Sequence, residues 1–493
     1  MSDAVISVTG HEQLGPPERL HPLYLLTGLG QTIKGAWGLF AGGAYFATQG
    51  RWWIAVLMLV GFTVISMASL FLKWLKLEFR VGRDEIRIDS GFMNRTSRAI
   101  PFDRVTDVDI EQGPLQRLLG LAKVKLETGA SAGSKTEEGV LHTISLARAE
   151  ALREHIRGRR GIVPVASSVD ETATAPLYAM DTRRVITAGL FNFSLAVIAG
   201  IFGATQTVGQ PLGIDPFERQ FWIDLLARSE PLQTLVMTHQ IVTVICGSLL
   251  LILVGIGTGL TRTALREHGF RLDRTDAGFR RRRGLLTLTD VTIPAKRAQA
   301  AILANGPVRH HFGWWVLKLQ SLAQDGGKGD HVVAPLAHEE EAAAILTSLG
   351  WPIAPTSGGW KRVSRAYFTN FIGILVPAAV ATILAVPFFG PIGFLWLAGA
   401  ALAVGMRWLD WRRTRYALEA GSLFVETGWW RHRRNIVPVR KIQSVDLTES
   451  WWSRMFGICT LKLGVAGGSG FSDHHVPALT RAEAQSLRAE LLS

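Results

Sequence analysis

The stretch TLTDVTIPAKRAQAAILANGPVRHHFGWWVLKLQ, residues 287–320, carries the pattern that determines the fold. It contains an Ile-Pro step closely followed by a basic pair, a glycine 19 residues after the proline, and an alternating Leu-Lys-Leu. The pattern occurs three times at constant spacing, and the matching positions are Gly91, Gly284 and Gly428; Pro101, Pro294 and Pro438; Gly120, Gly313 and Gly457; and Lys125, Lys318 and Lys462. Several anchors at one spacing in three places indicate an internal repeat.

Each repeat reads as a small β domain that ends in a helix. Apolar and polar residues alternate in segments such as EIRIDSGF, KVKLET and SLFVETGW, which is typical of strands with one buried and one solvated face. The segments SLARAEALREHIR, LAHEEEAAAILTSL and LTRAEAQSLRAELL close the three repeats with an apolar helical face. Each aligned proline should lie at a strand edge or bulge, because it cannot donate to a strand ladder. The pattern therefore predicts a strongly bent β-sandwich or barrel with one terminal helix.

Six apolar segments, arranged in three pairs, precede the repeats. A membrane-spanning helix needs roughly 20 mostly apolar residues, fewer at the margin. The segments are residues 35–49, 51–71, 185–205, 232–260, 371–389 and 391–406. We therefore predict an α+β membrane protein with six transmembrane helices in three hairpins, each followed by one small β domain. The glycines of GIGTG, residues 255–259, indicate close helix packing and not a phosphate loop, because they lie inside a predicted span.

Basic residues beside these segments predict the orientation. The formal net charge is +13, the sequence pI is about 10.1, and 48% of the residues are hydrophobic. Positive residues concentrate on the cytoplasmic side of membrane proteins. If the chain forms three hairpins, the following residues share one side: Lys73, Lys76, Arg183, Arg184, Arg262, Arg266, Lys361, Arg362, Arg365, Arg407, Arg412 and Arg413. We expect both termini and all three β domains on the cytoplasmic side.

The repeat resembles the bacterial pleckstrin-homology-like (bPH2) domain of the membrane-flanked domain family, in a three-copy form. The resemblance rests on the turns Ile100-Pro101, Ile293-Pro294 and Val437-Pro438 with their following basic residues, and on the strands after Gly120, Gly313 and Gly457. The segment Glu18–Pro22 looks like the lead-in to the first hairpin of such members. The second copy departs most, because Ala298, Ala300 and Ala301 replace a Val-x-x-Val pattern. The resemblance implies pleckstrin-homology-like (PH-like) domains that act as interaction modules, and not an enzyme.

These observations divide the chain into alternating membrane and PH-like segments. The predicted order is an N-terminal cytoplasmic segment 1–34, transmembrane hairpin 35–72, PH-like domain 73–160, linker 161–184, hairpin 185–261, PH-like domain 262–350, linker 351–370, hairpin 371–407 and PH-like domain 408–493.

Arginines cluster in the second and third copies. Eukaryotic-type pleckstrin-homology domains bind phosphoinositide headgroups with basic residues between their first strands, and we place the second-copy cluster in that turn. The candidate lipid- or anion-binding residues are Arg281, Arg282, Arg283, Arg431, Arg433 and Arg434. A basic residue near an anionic bilayer contributes about 1 kcal/mol to the free energy of membrane binding. Either these residues contact anionic lipid, with Trp429 and Trp430 at headgroup level, or they form a solvated positive face that only enforces topology.

The chemistry-bearing residues favour neither a catalytic nor a metal site. Neighbouring histidines on a strand point to opposite faces, so the pairs His310-His311 and His474-His475 would be poor metal sites, and we interpret them as exposed loop residues. Cys246 and Cys459 are expected to be buried, unpaired thiols. The chain has no serine-hydrolase, zinc-protease or Walker motif, so we expect no catalytic residues, cofactor or metal. Nucleic acid is disfavoured as a partner, because no helix has a basic recognition face.

The main functional hypothesis is a non-enzymatic, multi-pass protein of the bacterial cytoplasmic (inner) membrane with an envelope-related role. Its three PH-like domains would serve protein–protein assembly, with membrane lipids and a membrane protein such as a single-copy paralogue as partners, and with possible oligomers. The alternative is a transporter or lipid-handling protein gated by the same domains, in which His239 would matter as an intramembrane polar residue. A lipid-modifying enzyme is a third possibility that lacks a candidate nucleophile.

Overall fold

The computed structural model describes most of the chain, with gaps. The described residues are 15–28, 46, 50–90, 96–128, 139–159, 175–193, 200, 203, 218–227, 234, 236, 238–276, 278–325, 328–356, 358–389, 392–466 and 474–492. The chain divides into two compact units, each discontinuous in sequence. One comprises Met1–Thr174, Met180–Phe270 and Arg282–Val291, and the other comprises Ala175–Ala179, Arg271–Arg281 and Thr292–Ser493.

The first domain consists of two antiparallel sheets and a C-terminal helix. One sheet has the strand order β1-β2-β3-β4, and the strands of the second follow the order β7-β6-β5. Phe79 and Ile86 of the first sheet share a core with Val124 and Leu141 of the second and Leu152 of the helix. Its elements are β1 Glu18–Arg19, α1 Trp52–Lys76, β2 Glu78–Val81, β3 Glu85–Ser90, β4 Thr96–Pro101, β5 Val105–Gln112, α2 Pro114–Leu118, β6 Leu121–Thr128, β7 Val140–Ser145 and α3 Leu146–Arg159.

The second domain repeats this order of strands and is divided between the two units. Its second sheet, β12-β13-β14, lies entirely in one of them. Its elements are β8 Tyr178–Ala179, α4 Thr182–Leu190, α5 Arg219–Ala227, α6 Gln240–Glu267, β9 Arg271–Thr275, β10 Gly278–Arg283, β11 Leu288–Pro294, β12 Ala298–Asn305, α7 Pro307–His311, β13 Trp315–Asp325, β14 Lys328–Ala337 and α8 Glu339–Thr347.

The third domain has the same layout. Strands β15–β18 form its first sheet, and β19-β20-β21 form its second sheet. Leu423 and Val425 pack with Leu461, Val476 and Leu487 in its core. Its elements are β15 Lys361–Arg362, α9 Ala366–Phe389, α10 Ile392–Arg413, β16 Arg415–Glu419, β17 Ser422–Thr427, β18 His432–Pro438, β19 Ile442–Thr448, α11 Trp451–Met455, β20 Ile458–Val465, β21 His474–Thr480 and α12 Arg481–Leu492.

A short strand that precedes each membrane segment belongs to the domain that follows it. β1 pairs with β2, β8 with β9, and β15 with β16. Leu20, which follows β1, is only 1% exposed in the first core. The segments assigned from sequence to an N-terminal extension and to two linkers therefore supply the first strand of each sheet, so the membrane helices are insertions within the PH-like fold.

The aligned prolines, predicted at a strand edge or bulge, lie at strand ends, and Gly284 and Gly428 lie in turns as predicted, whereas Gly91 lies outside the described residues. Pro101, Pro294 and Pro438 are the last residues of β4, β11 and β18, where a missing N–H does not interrupt a ladder. Gly284 and Gly428, with φ of 116° and 86°, begin the turns after β10 and β17. Such φ values favour glycine.

Three described helices are long and apolar enough to cross a membrane. They are Trp52–Lys76, Gln240–Glu267 and the first part of α9, Ala366–Ile383. α9 packs against α10. The predicted segment 35–49 lies outside the described residues apart from Phe46, and the segment 185–205 is described mainly through α4 and the residues that follow it. The described helices therefore support a membrane protein, and the prediction of six spans in three hairpins is not confirmed by the described residues.

Close packing of α6 depends on its glycines, as the GIGTG segment predicts. A Cβ atom on Gly259 would lie 1.9 Å from the carbonyl oxygen of Asn192, and one on Gly255 would lie 2.2 Å from Phe193. Asn192 also donates from Nδ2 to Thr263 Oγ1 at 2.9 Å. Cys246 on the same helix is exposed, contrary to the expectation of a buried thiol, whereas Cys459 is buried. Cys246 lies on the apolar surface of a spanning helix, where burial requires lipid.

Candidate functional site: the junctions between domains

Strands of neighbouring domains pair edge to edge. β5 of the first domain pairs antiparallel with β11 of the second, with Leu288 opposite Gln112 and Asp290 opposite Ile110. A sheet edge presents a row of backbone N–H and C=O groups that need partners. This pairing, the first junction, supplies them to both strands.

A buried ion pair closes the first junction. Arg153 on α3 donates from Nη1 to Oδ2 of Asp290 at 3.1 Å and from Nη2 to the Asp290 carbonyl oxygen at 3.3 Å. Its Nε donates to the carbonyl oxygen of Val108 on β5 at 3.1 Å. Arg153 and Asp290 are 6% and 7% exposed. One guanidinium group thus ties the helix of the first domain to both paired strands.

The second junction joins β12 of the second domain to β18 of the third. Ala301 lies opposite Ile436, and Asn305 lies opposite His432. β12 also pairs with β13 on its other side. Ala298, Ala300 and Ala301, the residues that depart from the repeat pattern, are fully buried here. The strand that looked least typical in sequence is therefore an interior strand of a seven-stranded sheet.

A charge cluster closes the second junction. Arg434 on β18 donates from Nη1 to Glu339 Oε1 on α8 at 2.6 Å and from Nε to Glu426 Oε1 at 2.7 Å. Arg415 donates to Glu426 Oε2 at 2.5 Å. Burial alone raises the pKa of Glu426, but hydrogen bonds from His432 and Arg415 and the charge of Arg434 outweigh it and lower the pKa to about 2. Glu426 is therefore ionised at neutral pH.

The two junctions use one position of the repeat with opposite charges. Asp290 and Arg434 each stand four residues before the aligned proline of their own domain. Asp290 pairs with Arg153 on the helix of the preceding domain, and Arg434 pairs with Glu339 on the corresponding helix. Both junctions thus have an ion pair between the terminal helix of one domain and the fourth strand of the next.

The strand register is also the same at both junctions. The residue four before the proline of one domain lies opposite the residue nine after the proline of the preceding domain. At the first junction these residues are Asp290 and Ile110, and at the second they are Arg434 and Leu303. Since a slip of one residue would reverse every side chain, a shared register indicates one mode of docking used twice.

The turn after β10 lies against the end of a membrane helix. Gly284 N donates to the His268 carbonyl oxygen at 2.8 Å, and Leu285 N donates to that of Leu265 at 2.9 Å. Leu285 and Leu286 are 40% and 48% exposed. Exposed leucines beside the end of a spanning helix fit the interfacial region of a bilayer.

The short helix α11 of the third domain also lies beside a membrane helix. Trp452 donates from Nε1 to the Asn370 carbonyl oxygen on α9 at 3.2 Å. Trp451 and Met455 on the same short helix are 73% and 69% exposed. This surface is therefore apolar where it approaches the membrane segment.

Three of the six candidate arginines are buried within the domains. Arg281 and Arg283 lie in strand β10 and not in a turn, so the sequence interpretation placed this cluster wrongly. Arg283 donates to both carboxylate oxygens of Glu267 at 3.0 and 3.1 Å, and Arg281 donates to the Val332 carbonyl oxygen at 3.1 Å. The third is Arg434 of the second junction. Alternating side chains of a strand point to opposite faces, which carries two of the four consecutive arginines inward.

The other three candidate arginines reach solvent. Arg431 and Arg433 are exposed, and Trp430 beside them is 58% exposed. They lie in and after the turn that corresponds to residues 284–287 of the second domain. The Arg282 side chain is 35% exposed, with Nε 3.9 Å from Asp290 Oδ2. Of the six candidate arginines, Arg431 and Arg433 are therefore the two that are exposed beside an aromatic residue.

The histidines form no metal site among the residues that the structure describes. His310 and His311 lie in the helix α7 and not in a loop. His474 is buried, and its Nε2 lies 2.6 Å from Gln320 Oε1, so its interpretation as an exposed loop residue was wrong. His239 precedes α6 and is exposed, and its carbonyl oxygen accepts from Thr243 N at 2.9 Å.

Comparison with known proteins agrees with this architecture. The family model for the bacterial PH domain matches residues 24–160, 226–350 and 371–493. The chain belongs to this family, with the domain repeated three times and a long apolar helix within or overlapping each matched region. It is 21% identical over 484 residues to UPF0699 transmembrane protein YdbT of Bacillus subtilis (strain 168), covering 92% of this chain and 94% of that protein. No solved structure matches it.

Proposed function

We propose that this protein is a non-enzymatic scaffold of the bacterial inner membrane. Its helices hold three PH-like domains on the cytoplasmic side, and the domains assemble membrane proteins there. The observation that supports this proposal is the edge-to-edge pairing of neighbouring domains in one register at both junctions. Domains that shared only a chain would not need matched sheet edges and ion pairs across them.

The distribution of positive residues supports the cytoplasmic placement. Lys73 and Lys76 end α1, Arg266 lies in the last turn of α6, and Arg412 and Arg413 end α10. Each of these helices leads directly into a PH-like domain. By the positive-inside rule, all three domains lie in the cytoplasm.

Contact with anionic lipid is the second part of the proposal. The turns after β10 and β17 expose Leu285, Leu286 and Trp430, and Arg431 and Arg433 follow the last of these. Apolar and aromatic side chains favour the headgroup region, and arginines there attract anionic lipid. The membrane surface would thereby hold the domains in a defined orientation.

Site-specific labelling tests the placement of the domains. Glu150, Glu340 and Ser486 are exposed residues on the terminal helices of the first, second and third domains. Each is changed to cysteine in a full-length chain whose Cys246 and Cys459 have been replaced by alanine. A membrane-impermeant maleimide should label none of the three in intact cells and all three in inverted membrane vesicles.

The cysteine-free parent measures background labelling, and denatured protein shows that each new thiol reacts. Labelling of any one of the three positions in intact cells, at the level seen after permeabilisation, would refute the cytoplasmic placement.

A further inference from the structure

Within the part of the chain that the structure describes, two outer strands have no partner strand where their counterparts in the other repeats pair across a junction. β4 is the outer strand of the sheet β1-β2-β3-β4, and β19 is the outer strand of the sheet β19-β20-β21. In the repeat, β4 corresponds to β11 and β18, and β19 corresponds to β5 and β12. These two edges are therefore the ones whose counterparts form the first and second junctions.

The open edge β4 is exposed where its counterparts are buried. Ser97 is exposed, whereas Asp290 and Arg434 at the same repeat position are both 7% exposed. Ala99 is also exposed, whereas its counterparts Thr292 and Ile436 are 4% and 0% exposed. The difference follows from the absence of a partner strand and not from the side-chain types.

The open edge β19 shows the same difference. Asp446 is exposed, although Asp109, the same residue type at the same repeat position in β5, is only 4% exposed. Two flanking residues of β19, Ser444 and Thr448, are exposed as well. A sheet edge of this kind is a template for a further strand.

We propose that β19 of one copy of this chain pairs with β4 of a second copy, in the register of the two internal junctions. The proposal rests on the scaffold function and names its partner. Applying the same count from the aligned prolines places Leu447 opposite Ser97, Asp446 opposite Arg98 and Thr448 opposite Thr96. The contact is β-augmentation, in which backbone hydrogen bonds supply affinity and side chains supply register.

Charge supports a second copy as the occupant. In this register the carboxylate of Asp446 lies directly across from the guanidinium of Arg98, and opposite charges facing each other across strands are favourable. Pro101 does not prevent the pairing, because Pro294 and Pro438 end the paired strands β11 and β18 at the same position. Because proline has no backbone N–H, one hydrogen-bond donor is missing, but only at the end of the strand, as at the two internal junctions.

The terminal helix α12 also has an arginine at the position that Arg153 occupies in α3. Counting from the N-capping hydroxyls of Ser145 and Thr480, Arg488 stands where Arg153 stands in α3. Arg153 is buried against β5 and β11, whereas Arg488 is exposed. Arg488 would donate to the carbonyl oxygen of Ser97 in the second copy, as Arg153 donates to that of Asp290.

The contact joins different surfaces of the two copies. Such a heterologous, head-to-tail interface forms a ring if the rotation per copy closes, and an open chain if it does not. Because membrane helices hold every copy in one plane, the assembly extends along the bilayer.

Disulfide cross-linking in native membranes tests the pairing. In the cysteine-free full-length chain, Thr448→Cys on one tagged copy and Thr96→Cys on a differently tagged copy are expressed together. Mild oxidation should give a dimer that carries both tags and disappears on reduction. Disulfides require Cα atoms within about 7 Å. In a control, the second copy carries Ala99→Cys in place of Thr96→Cys, which moves its cysteine about 10 Å along the strand. We then expect at least about tenfold less dimer.

The pair Ala304→Cys with Arg433→Cys is the matched control. It occupies the same register position at the second junction and should form a disulfide within one chain. If it forms and the Thr448–Thr96 dimer does not, the second-copy contact is wrong and the scaffold stands. If the control also fails, the shared register is wrong and both proposals fall. A Thr448–Thr96 disulfide within one chain, seen as a faster-migrating monomer of the double variant, also overturns the second-copy contact.

Charge exchange tests the register independently. Asp446→Arg should reduce the Thr448–Thr96 dimer several-fold, because it places two cations opposite each other. Adding Arg98→Asp on the partner copy should restore it. Dimer formation that is unaffected by the single reversal would contradict the proposed register.

Discussion

Buried charged side chains close the junctions between the domains. Arg153 satisfies two carbonyl oxygens and one carboxylate, and Arg434 binds two carboxylates. Desolvation makes such pairs poor sources of net stability, but removing one partner leaves an uncompensated charge in the interior. We expect them to favour one register, because a shifted register would leave the buried arginine without its acceptor across the junction.

Loss of Arg153 should therefore destabilise the protein strongly. Arg153→Ala leaves the Asp290 carboxylate buried, and we expect a loss of about 3–5 kcal/mol in the free energy of unfolding. Denaturant unfolding of the full chain in detergent measures the change. Glu150→Ala, an exposed substitution on the same helix, should stay within about 0.5 kcal/mol of the parent. Equal effects of the two substitutions would show that the ion pair does not contribute.

Glu426 should make the stability of the third domain depend on pH. Its folded-state pKa of about 2 lies below the ordinary value of a glutamate, so its contribution is complete above that ordinary value and is lost as the pH falls towards 2. The lowered pKa of Glu426 corresponds to a contribution of about 3 kcal/mol to the free energy of unfolding.

Glu426→Gln should flatten the decline in stability between about pH 5 and pH 2, measured by urea unfolding at each pH. Glu490→Gln, on the exposed side of α12, is the control and should leave the decline unchanged. If Glu426→Gln keeps the full decline, other carboxylates cause it.

In strand β10, consecutive arginines differ in burial because alternate side chains point to opposite faces of the sheet. The four consecutive arginines, 280–283, suggest a basic patch in sequence, but the strand carries Arg281 and Arg283 inward to oxygen acceptors. The turn that follows exposes Leu285 and Leu286. In the third domain the corresponding turn presents Trp430 and Arg431.

The turn after β17 should respond to lipid charge. In the cysteine-free chain, Trp430→Cys carries an environment-sensitive fluorophore, and the protein is reconstituted in nanodiscs. We expect a blue shift of emission in discs with phosphatidylglycerol relative to phosphatidylcholine alone, reduced by high salt because exposed charges are screened. Arg431→Gln with Arg433→Gln should abolish the difference.

The matched control for this experiment is Arg440→Gln, which removes an exposed arginine of the same domain outside the turn. An identical emission shift in the control and the double variant would show that net charge, and not this turn, senses the lipid.

The same order of elements occurs three times along the chain: a short strand, a membrane insertion, and then the remainder of a PH-like domain. Each insertion begins and ends at the same sheet, because β1, β8 and β15 pair with the strands that follow the membrane helices. The segment that contains the apolar helix therefore connects two neighbouring strands of one sheet in each domain.

The sequence predicted the repeated domain, its terminal helices and the three apolar helices that the structure describes as long enough to span a membrane, because these depend on local patterns. Period-two alternation, the 3.6-residue helical period and long apolar runs are properties of neighbouring residues. The aligned prolines and glycines located the strand ends for the same reason. The sequence alone therefore established an α+β membrane protein with three related domains.

Only the tertiary structure showed which strand edges meet, and thus where Asp290, Arg434 and the arginines of β10 lie. Edge pairing joins residues far apart in the chain, and its register depends on backbone groups that every residue shares. A buried arginine and a solvated arginine have the same letter in the sequence, and only packing decides which of them has a carboxylate within reach. The junctions, and with them the candidate functional surface, follow from contacts between domains that local patterns do not encode.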